Sequence, residues 1–552
     1  MSLMNPALLS LVLKVFYGSI VVENEHYIPR DGTACIVCSN HPNSLTDAIL
    51  LISAVPSKKR NFLRMTAKDT QFGRRTLISW FIESVGTLPI KRRKDHLEGV
   101  ADNTEVMASL VQALSEGDAV CLFPEGMSRY YPTVAPLKTG VARLASDVLS
   151  KRRDDPTFEV DILTCSITYM HREHFRSDVL VSFNPPTRLR PGTHPSLLSP
   201  ASPSTVRSLT SYLRTQIVAG TIDAPSWGAV RTAKTAARIY SPLGTQMRLG
   251  DWVRVVGAFA EYFGGSRGGL ASVGEWVEGS TVAEASASLA PEGEKERMES
   301  LALELKLTCR QDYQDTLNEL GLTDARIRYA LSYPGLVLRI GIRLAWAVFL
   351  THLALPGIIP WGPIFATTAF ATSRFKQTGP VWDVFDEIAQ VKLVYGLVSG
   401  TMVVAAIGLG VRIMLGVSIV WAMVGAAAWM WMSLRWYEDA TAAWRALLEL
   451  LRLALVIERP VLERVRATRR DLQGQVHAVA VERLGLPAEP ERWFLETETE
   501  SEGGGFRSRE GKGRAAGVWQ LGVKYFSPRR RRKRDWNETL RWYDVTEFPG
   551  DR

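Results

Sequence analysis

The chain has 552 residues, 46% of them hydrophobic and 22% charged, with a formal net charge of +9. That length leaves room for more than one domain and a real core. The basic excess is spread along the chain with no nucleic-acid module, so it points to phosphate or an anionic membrane surface rather than nucleic acid. Five cysteines, an odd and sparse set, exclude a disulfide framework and fit a reducing compartment.

In chain order, Leu8 to Val22 is apolar but interrupted by Lys14. It lacks a basic start and a small-residue cleavage site, and it falls short of the roughly 20 residues a span needs. Residues 1–30 therefore read as an interfacial helix, with a buried core helix as the alternative. From 31 to 225, short β-branched runs such as Ala119–Phe123 and Val160–Leu163 alternate with helical stretches such as Asp47–Ala54 and Thr104–Leu114. Such alternation means an α/β domain. Cys35 and Cys38 form a C-x-x-C inside the apolar run Ala34–Cys38. On a strand, residues three apart point to opposite faces. No second Cys/His pair stands at zinc spacing, and no metal site is implied. Pro191–Ser204 reads as a loop.

Residues 226–330 read as helical, with a stretch at 226–260, a Gly/Ser-rich linker at Gly264–Gly293 and returning periodicity over Glu294–Leu320. Residues 331–440 read as transmembrane helices. Leu344–Phe370 contains Pro356, Pro360 and Pro363, so either a span ends near Leu355 or the segment dips in and returns. Leu393–Leu434 is long enough for two spans, and Arg412 beside Gly408 and Gly410 marks the expected turn. A buried helical core is the alternative. Residues 441–552 read as a long amphipathic helix towards Arg483, then a partly disordered tail with the basic run Arg529–Arg534. That run suits a nuclear signal, a headgroup contact or a solvated tail. In a chain with spans it suggests a cytosolic C-terminus.

Three motifs carry chemistry. Asn40-His41-Pro42-Asn43-Ser44-Leu45-Thr46-Asp47 follows a strand and opens a helix. An Asp this close to a His can hold one ring nitrogen and leave the other to take a proton from an alcohol; an ordinary loop is the bland alternative. The six-residue separation does not place both on one helix face, so the chain must turn at Pro42 and Asn43. Gly86–Lys94 ends in Lys91, Arg92, Arg93 and Lys94; these could bind phosphate, Arg bidentately, or form a solvated basic loop. Phe123-Pro124-Glu125-Gly126 ends a strand with a carboxylate and a Gly that admits close approach, or is a turn with a capping acid. Pro136–Ala142, which includes Lys138, reads as the start of a helix.

This ordered set, followed by the strand Thr164–Tyr169 and by Phe175-Arg176-Ser177, resembles the glycerolipid acyltransferase family. Ala354–Pro360, Trp382-Asp383-Val384, Lys392, Arg238-Ile239-Tyr240 and Leu320–Asp324 are similar to the fungal-type branch that acylates glycerol 3-phosphate or dihydroxyacetone phosphate. The chain departs from the commonest family form in having five residues between His41 and Asp47, Met127-Ser128-Arg129 after the third motif, and Pro89 and Lys91 where Phe and Asp are usual.

The resemblance implies an α/β acyltransferase domain, a central mixed sheet flanked by helices, plus a helical C-terminal membrane region. It implies His41 as general base, Asp47 as its orienter, Arg92 gripping phosphate with Lys91 or Lys138, and Glu125 and Gly126 shaping the acceptor site. The implied donor is acyl-CoA as co-substrate, with no cofactor. The implied setting is the endoplasmic reticulum bilayer with the catalytic domain facing the cytosol. Alternatives are acylation of lysophosphatidate at sn-2, or a non-catalytic membrane scaffold of the same fold.

Overall fold

The computed structural model describes residues 6–60, 63–75, 77–84, 86–91, 102–243, 246–264, 313–328 and 332–494. Arg92, the predicted linker beyond Gly264, most of the periodicity from Glu294 and the basic run Arg529–Arg534 lie outside them. The described residues form two compact units, one from the chain up to Ser226 together with Thr372–Val394, the other from the rest.

The first unit is built on a mixed sheet. Its strands are β1 (Ser19–Glu23), β2 (Ala34–Ser39), β5 (Ala119–Leu122), β6 (Val160–Tyr169), β7 (Asp178–Phe183) and β8 (Thr187–Leu189). They run in the order β1-β7-β6-β2-β5, with β8 beside β6; β3 (Thr66–Lys68) and β4 (Leu88–Ile90) form a separate pair. Strand β2 is parallel to both neighbours, Ile36 opposing Val120 and Ile162, while β6 and β7 are antiparallel with Ile167 opposite Val181. Both β2 and β6 are buried along their whole length. In β2 that burial goes with an almost unbroken apolar run, whereas β6 buries Asp161, Thr164, Ser166 and Thr168 among its apolar residues.

The helices of this unit are α1 (Pro6–Phe16), α2 (Leu45–Ala54), α3 (Leu77–Ser84), α4 (Thr104–Ser115), α5 (Gly140–Lys151) and α6 (Pro203–Ala219). One core gathers Ala34, Ile36 and Cys38 with Leu114 of α4, Leu144 of α5 and Leu213 of α6. The other gathers Cys35 and Val37 with Leu13 of α1, Leu50 of α2, and Ala389 and Leu393 from the distant segment. The sheet is therefore covered on both faces, and the C-x-x-C pair divides between them with both thiols free.

The end of α1 is core: Leu13, Phe16 and Tyr17 are buried. Arg176, itself buried, donates to the carbonyls of Lys14 (2.7 Å), Val15 (3.1 Å) and Tyr17 (2.9 Å). It satisfies the carbonyls that a helix end leaves unpaired and places a cation at the negative end of the dipole. This part of the N-terminus takes the buried alternative, because the sheet face needs its apolar residues.

In the second unit, the predicted helix over 226–260 is two helices, α7 (Trp227–Tyr240) and α8 (Leu249–Gly264). Short helices α9 (Asp315–Leu320) and α10 (Asp324–Ile327) follow. Asp324 binds Arg469 through both oxygens at 2.8 and 3.0 Å.

Next comes α11 (Tyr333–Lys376), which runs through Pro356, Pro360 and Pro363 without ending near Leu355 or turning back. Neighbouring helices hold it there: Trp361 Nε1 donates to Met430 O and Ser433 Oγ, both at 3.2 Å. Proline in such a helix is tolerated when neighbours replace the lost support. After the short α12 (Val381–Val384), α13 (Ile388–Leu415) continues past the expected turn at Arg412. The turn falls at Gly416, whose φ of 67° suits glycine. Gly408 instead lets α13 approach Met423 of the next helix.

That next helix, α14 (Ile419–Leu455), stops before α15 (Arg459–Ala478), which breaks the single helix expected towards Arg483. Pro460 stands in the first turn of α15, the one place in a helix where its missing N–H costs nothing. Among the described residues, α11 and α13 are long and apolar enough to cross a membrane, by length and composition.

Arg176→Ala should lower stability by about 2–4 kcal/mol by stranding buried carbonyls. Thermal unfolding in detergent checks this, and an unchanged melting temperature would contradict it.

Candidate active site

Strands β6, β2 and β5 are parallel neighbours, so their C-terminal ends open at one edge of the sheet. Crevices outside the carboxyl ends of such strands are where α/β sheets place ligands. Tyr169 ends β6, His41 follows β2, and Glu125 follows β5. Asn40 fixes the start of the His41 loop: its amide donates to Ile167 O at 2.9 Å and its carbonyl accepts from Ile167 N at 2.8 Å.

His41 Nδ1 lies 2.9 Å from Asp47 Oδ2. Asp47 is fully buried, whereas the His41 side chain remains 18% exposed. The same carboxylate accepts from Asn43 N at 2.7 Å and from the Tyr169 hydroxyl at 2.7 Å. Asn43 in turn donates to Tyr17 Oη at 3.1 Å and to Arg172 O at 3.2 Å. Burial, then the charge of Asp47, pushes the Tyr169 phenol well above its usual range, so it stays a donor. An ionised carboxylate only accepts, so Nδ1 carries the proton and Nε2 is left as the acceptor. The expected turn between the two residues is made at Asn43 and Ser44, the latter at φ 46°.

Glu125 joins this constellation through its carboxylate: Oε1 accepts from His41 N at 2.6 Å and Oε2 from Ala135 N at 3.0 Å. Burial raises its pKa, partly offset by these two amides. Both oxygens are spent on backbone, so in this geometry Glu125 positions the His41 loop. Phe123 stacks on the imidazole with centroids 4.0 Å apart. Gly126 has φ 72°, and a Cβ there would collide with the Lys138 ammonium group, which packs over it. Lys138 precedes α5, which begins at Gly140 rather than at Pro136. Lys91 is exposed at the end of β4, with its backbone bonded to the Asn103 side chain at 2.8 and 2.9 Å. The structure thus joins His41, Asp47 and Glu125 directly, packs Gly126 with Lys138, and ties Lys91 to Asn103.

The sequence reading assigned no role to Tyr169, Tyr17 or Asn40, and gave Asn43 only a place in the turn, although Tyr169, Asn40 and Asn43 stand inside the quoted motifs. It also missed Asp386, which is buried, hydrogen-bonded to the Ser128 side chain and within electrostatic range of His41. His171, Glu173 and His174 also escaped it; their potential ligand atoms lie within 4.8 Å of one another. Glu173 already pairs with His174 Nε2 at 2.9 Å. Burial would raise this carboxyl, but the His174 hydrogen bond and charge outweigh burial and hold it at about 2.

Residues 19–168 match the family model described as Acyltransferase. Glycerol-3-phosphate O-acyltransferase 2 of Saccharomyces cerevisiae is 29% identical over 148 residues, 27% of this chain and 19% of that protein. Glycerol-3-phosphate O-acyltransferase 1 of the same yeast is 32% identical over 88 residues, 16% of this chain and 11% of that protein. The matches thus span a minor part of each relative. Among solved structures, the 1-acyl-sn-glycerophosphate acyltransferase PlsC of Thermotoga maritima matches at 19% identity and a TM-score of 0.27, covering 38% of this chain and 76% of that one.

Burial, with the charge of Glu387 and against the opposing pull of Ser128 and His41, leaves the Asp386 carboxyl raised from 3.8 to about 6. A raised carboxyl favours folding below its unfolded pKa, and that advantage is lost as pH rises through the folded value. Asp386→Asn should match wild type near pH 4 and gain on it up to about pH 7, by roughly 3 kcal/mol at most. Melting curves across that range check this; a difference independent of pH would contradict it.

Proposed function

We propose that this chain, which carries an acyltransferase domain, transfers a fatty acyl group from acyl-CoA to the sn-1 hydroxyl of glycerol 3-phosphate, with dihydroxyacetone phosphate as a second acceptor. The observation that carries the reading is the His41–Asp47 pair at 2.9 Å, with its outer ring nitrogen on the accessible side chain. The two yeast relatives, both glycerol-3-phosphate O-acyltransferases, support the choice of acceptor.

In this reading His41 Nε2 takes the proton as the acceptor oxygen attacks the thioester carbonyl. Asp47 steadies the imidazolium. The tetrahedral oxyanion collapses, the C–S bond breaks, and the departing CoA sulfur takes the proton from His41. Arg92 grips the acceptor phosphate, assisted by Lys91 or Lys138. Transfer is direct. Cys121 is buried, and burial holds its thiol well above the usual range; such a thiol is a poor nucleophile.

Helices α11 and α13 support anchorage in a bilayer. The reading places them in the endoplasmic reticulum membrane, with the catalytic unit on the cytosolic side where both substrates are dissolved.

Microsomes of a producing host, given labelled palmitoyl-CoA and glycerol 3-phosphate, dihydroxyacetone phosphate or lysophosphatidate, test this. Wild type should acylate one or both of the first two, and His41→Ala should lose on the order of 10²–10⁴-fold in rate. Acylation of lysophosphatidate alone would move the activity to sn-2, and no transfer to any acceptor would leave the scaffold reading. Arg92→Ala should raise KM for the phosphorylated acceptor about tenfold or more, with kcat changed less. An unchanged KM would remove Arg92 from the phosphate site.

A further inference from the structure

The segment Thr372–Val394 lies far along the chain from the matched domain, yet belongs to the same compact unit. Trp382 O accepts from Tyr130 N at 3.1 Å, and the rings of Phe385 and Tyr130 lie 5.5 Å apart. Lys392 Nζ donates to Glu173 O at 2.5 Å. Ala389 and Leu393 are buried in the core beneath α1 and α2. Between them Gln390, also buried, accepts a hydrogen bond from Ser44 Oγ at 3.3 Å.

Ser44 is the strained point of the catalytic loop, with φ 46° and ψ −135°. A non-glycine residue holds such a conformation only where its surroundings impose it, and such residues gather at functional sites. Ser44 also controls the pair on either side of it. Its carbonyl accepts from Asp47 N at 3.1 Å, and the preceding amide, Asn43 N, donates to Asp47 Oδ2. Rotation of the Ser44 backbone would swing the Asp47 carboxylate away from the imidazole. Gln390 holds the Ser44 side chain, and the first turn of α13 holds Gln390 through Ala389 and Leu393.

We propose that Gln390 is a positioning residue for the His41–Asp47 pair, acting through Ser44, and that Thr372–Val394 is an integral part of the catalytic domain. The proposal rests on the acyl-transfer reading for its kinetics. Its structural content is separate: the ends of this segment continue into α11 and α13, so the two apolar helices deliver the piece that completes the catalytic loop.

The test uses the full chain in detergent. Gln390→Ala should lower kcat on the order of tenfold or more through misplacement of the base, leave KM unchanged and shift the acid limb of the kcat–pH profile. Gln390→Glu, which keeps an oxygen acceptor for Ser44, should recover most of the loss. Leu213→Ala, in the core on the other face of the sheet, should lower the melting temperature and leave the pH profile in place. Other titratable groups face the pair: Tyr17 just after α1, Glu125 after β5, Cys165 on β6, Tyr169 at its end, Arg172 after it, and Asp386 from the same segment. None is altered in Gln390→Ala, which adds no titratable group, so a shift in that variant reports the hold on Ser44; the carboxyl that Gln390→Glu adds makes its kcat, rather than its pH profile, the measure of recovery.

A second readout needs no turnover. The rate at which diethyl pyrocarbonate modifies His41, followed by mass spectrometry across pH, should shift in Gln390→Ala. Wild-type kcat and modification profiles in Gln390→Ala, or equal pH shifts in Leu213→Ala, would overturn the proposal. An inactive wild type would remove the acyl-transfer reading, while the modification profile would still decide on Gln390.

Discussion

The Asp47 carboxylate is a full charge with no access to water, and the first unit is arranged around keeping it satisfied. Burying such a charge is costly unless it is paired and hydrogen-bonded. Three donors do this: the His41 ring, the Asn43 amide and the Tyr169 hydroxyl. His41 and Asn43 come from the loop after β2 and Tyr169 from the end of β6, more than a hundred residues on, and the parallel pairing of β2 with β6 brings them to one edge. Carboxylate oxygens that already accept these bonds hold the imidazole in one tautomer. The consequence is that Nε2 is left as the acceptor of a side chain that stays 18% exposed, which is what proton removal from an alcohol requires.

The surrounding contacts support the same end. Glu125 clamps the His41 amide, Phe123 covers one ring face, and Asn40 stitches the loop to β6. These interactions restrict the His41 imidazole to one place, the kind of fixed alignment that positioning a reacting group requires. The buried cysteines are chemically quiet by the same physics: burial in the core pushes Cys35 up to about 12 and raises Cys38, Cys121 and Cys165 as well. A domain whose thiols stay protonated beside an ordered His–Asp pair suits direct transfer better than a covalent relay.

Much of this was legible in the amino-acid pattern. Strands β2, β5 and β6 are mostly apolar runs bounded by turn residues, and the His41/Asp47 and Glu125 motifs stand at the ends of two of them. The opposite orientation of Cys35 and Cys38 follows from strand geometry alone. The rest depends on contacts remote in sequence. Tyr169 looks like one more apolar strand residue until the sheet sets it beside Asp47. Gln390 is one of several polar residues on a mostly apolar helix, and nothing local names Ser44 as its partner. Pattern also misplaced helix ends. Gly408 and Gly410 suggested a turn, but Gly408 serves close packing against Met423, and the chain turns at Gly416. The prolines of α11 suggested a break, which packing against Met430 and Ser433 prevents.

The most direct test of the central claim is acceptor-dependent release of CoA from palmitoyl-CoA by purified Asp47→Asn. An Asn amide in that place would donate to Nδ1 and move the ring proton to Nε2, the wrong tautomer for a base. The account predicts a fall in kcat on the order of 10³-fold or more, in a chain that still folds by its melting transition. A variant that folds and keeps its rate would contradict the account, because the geometry on which everything else is built would then be idle.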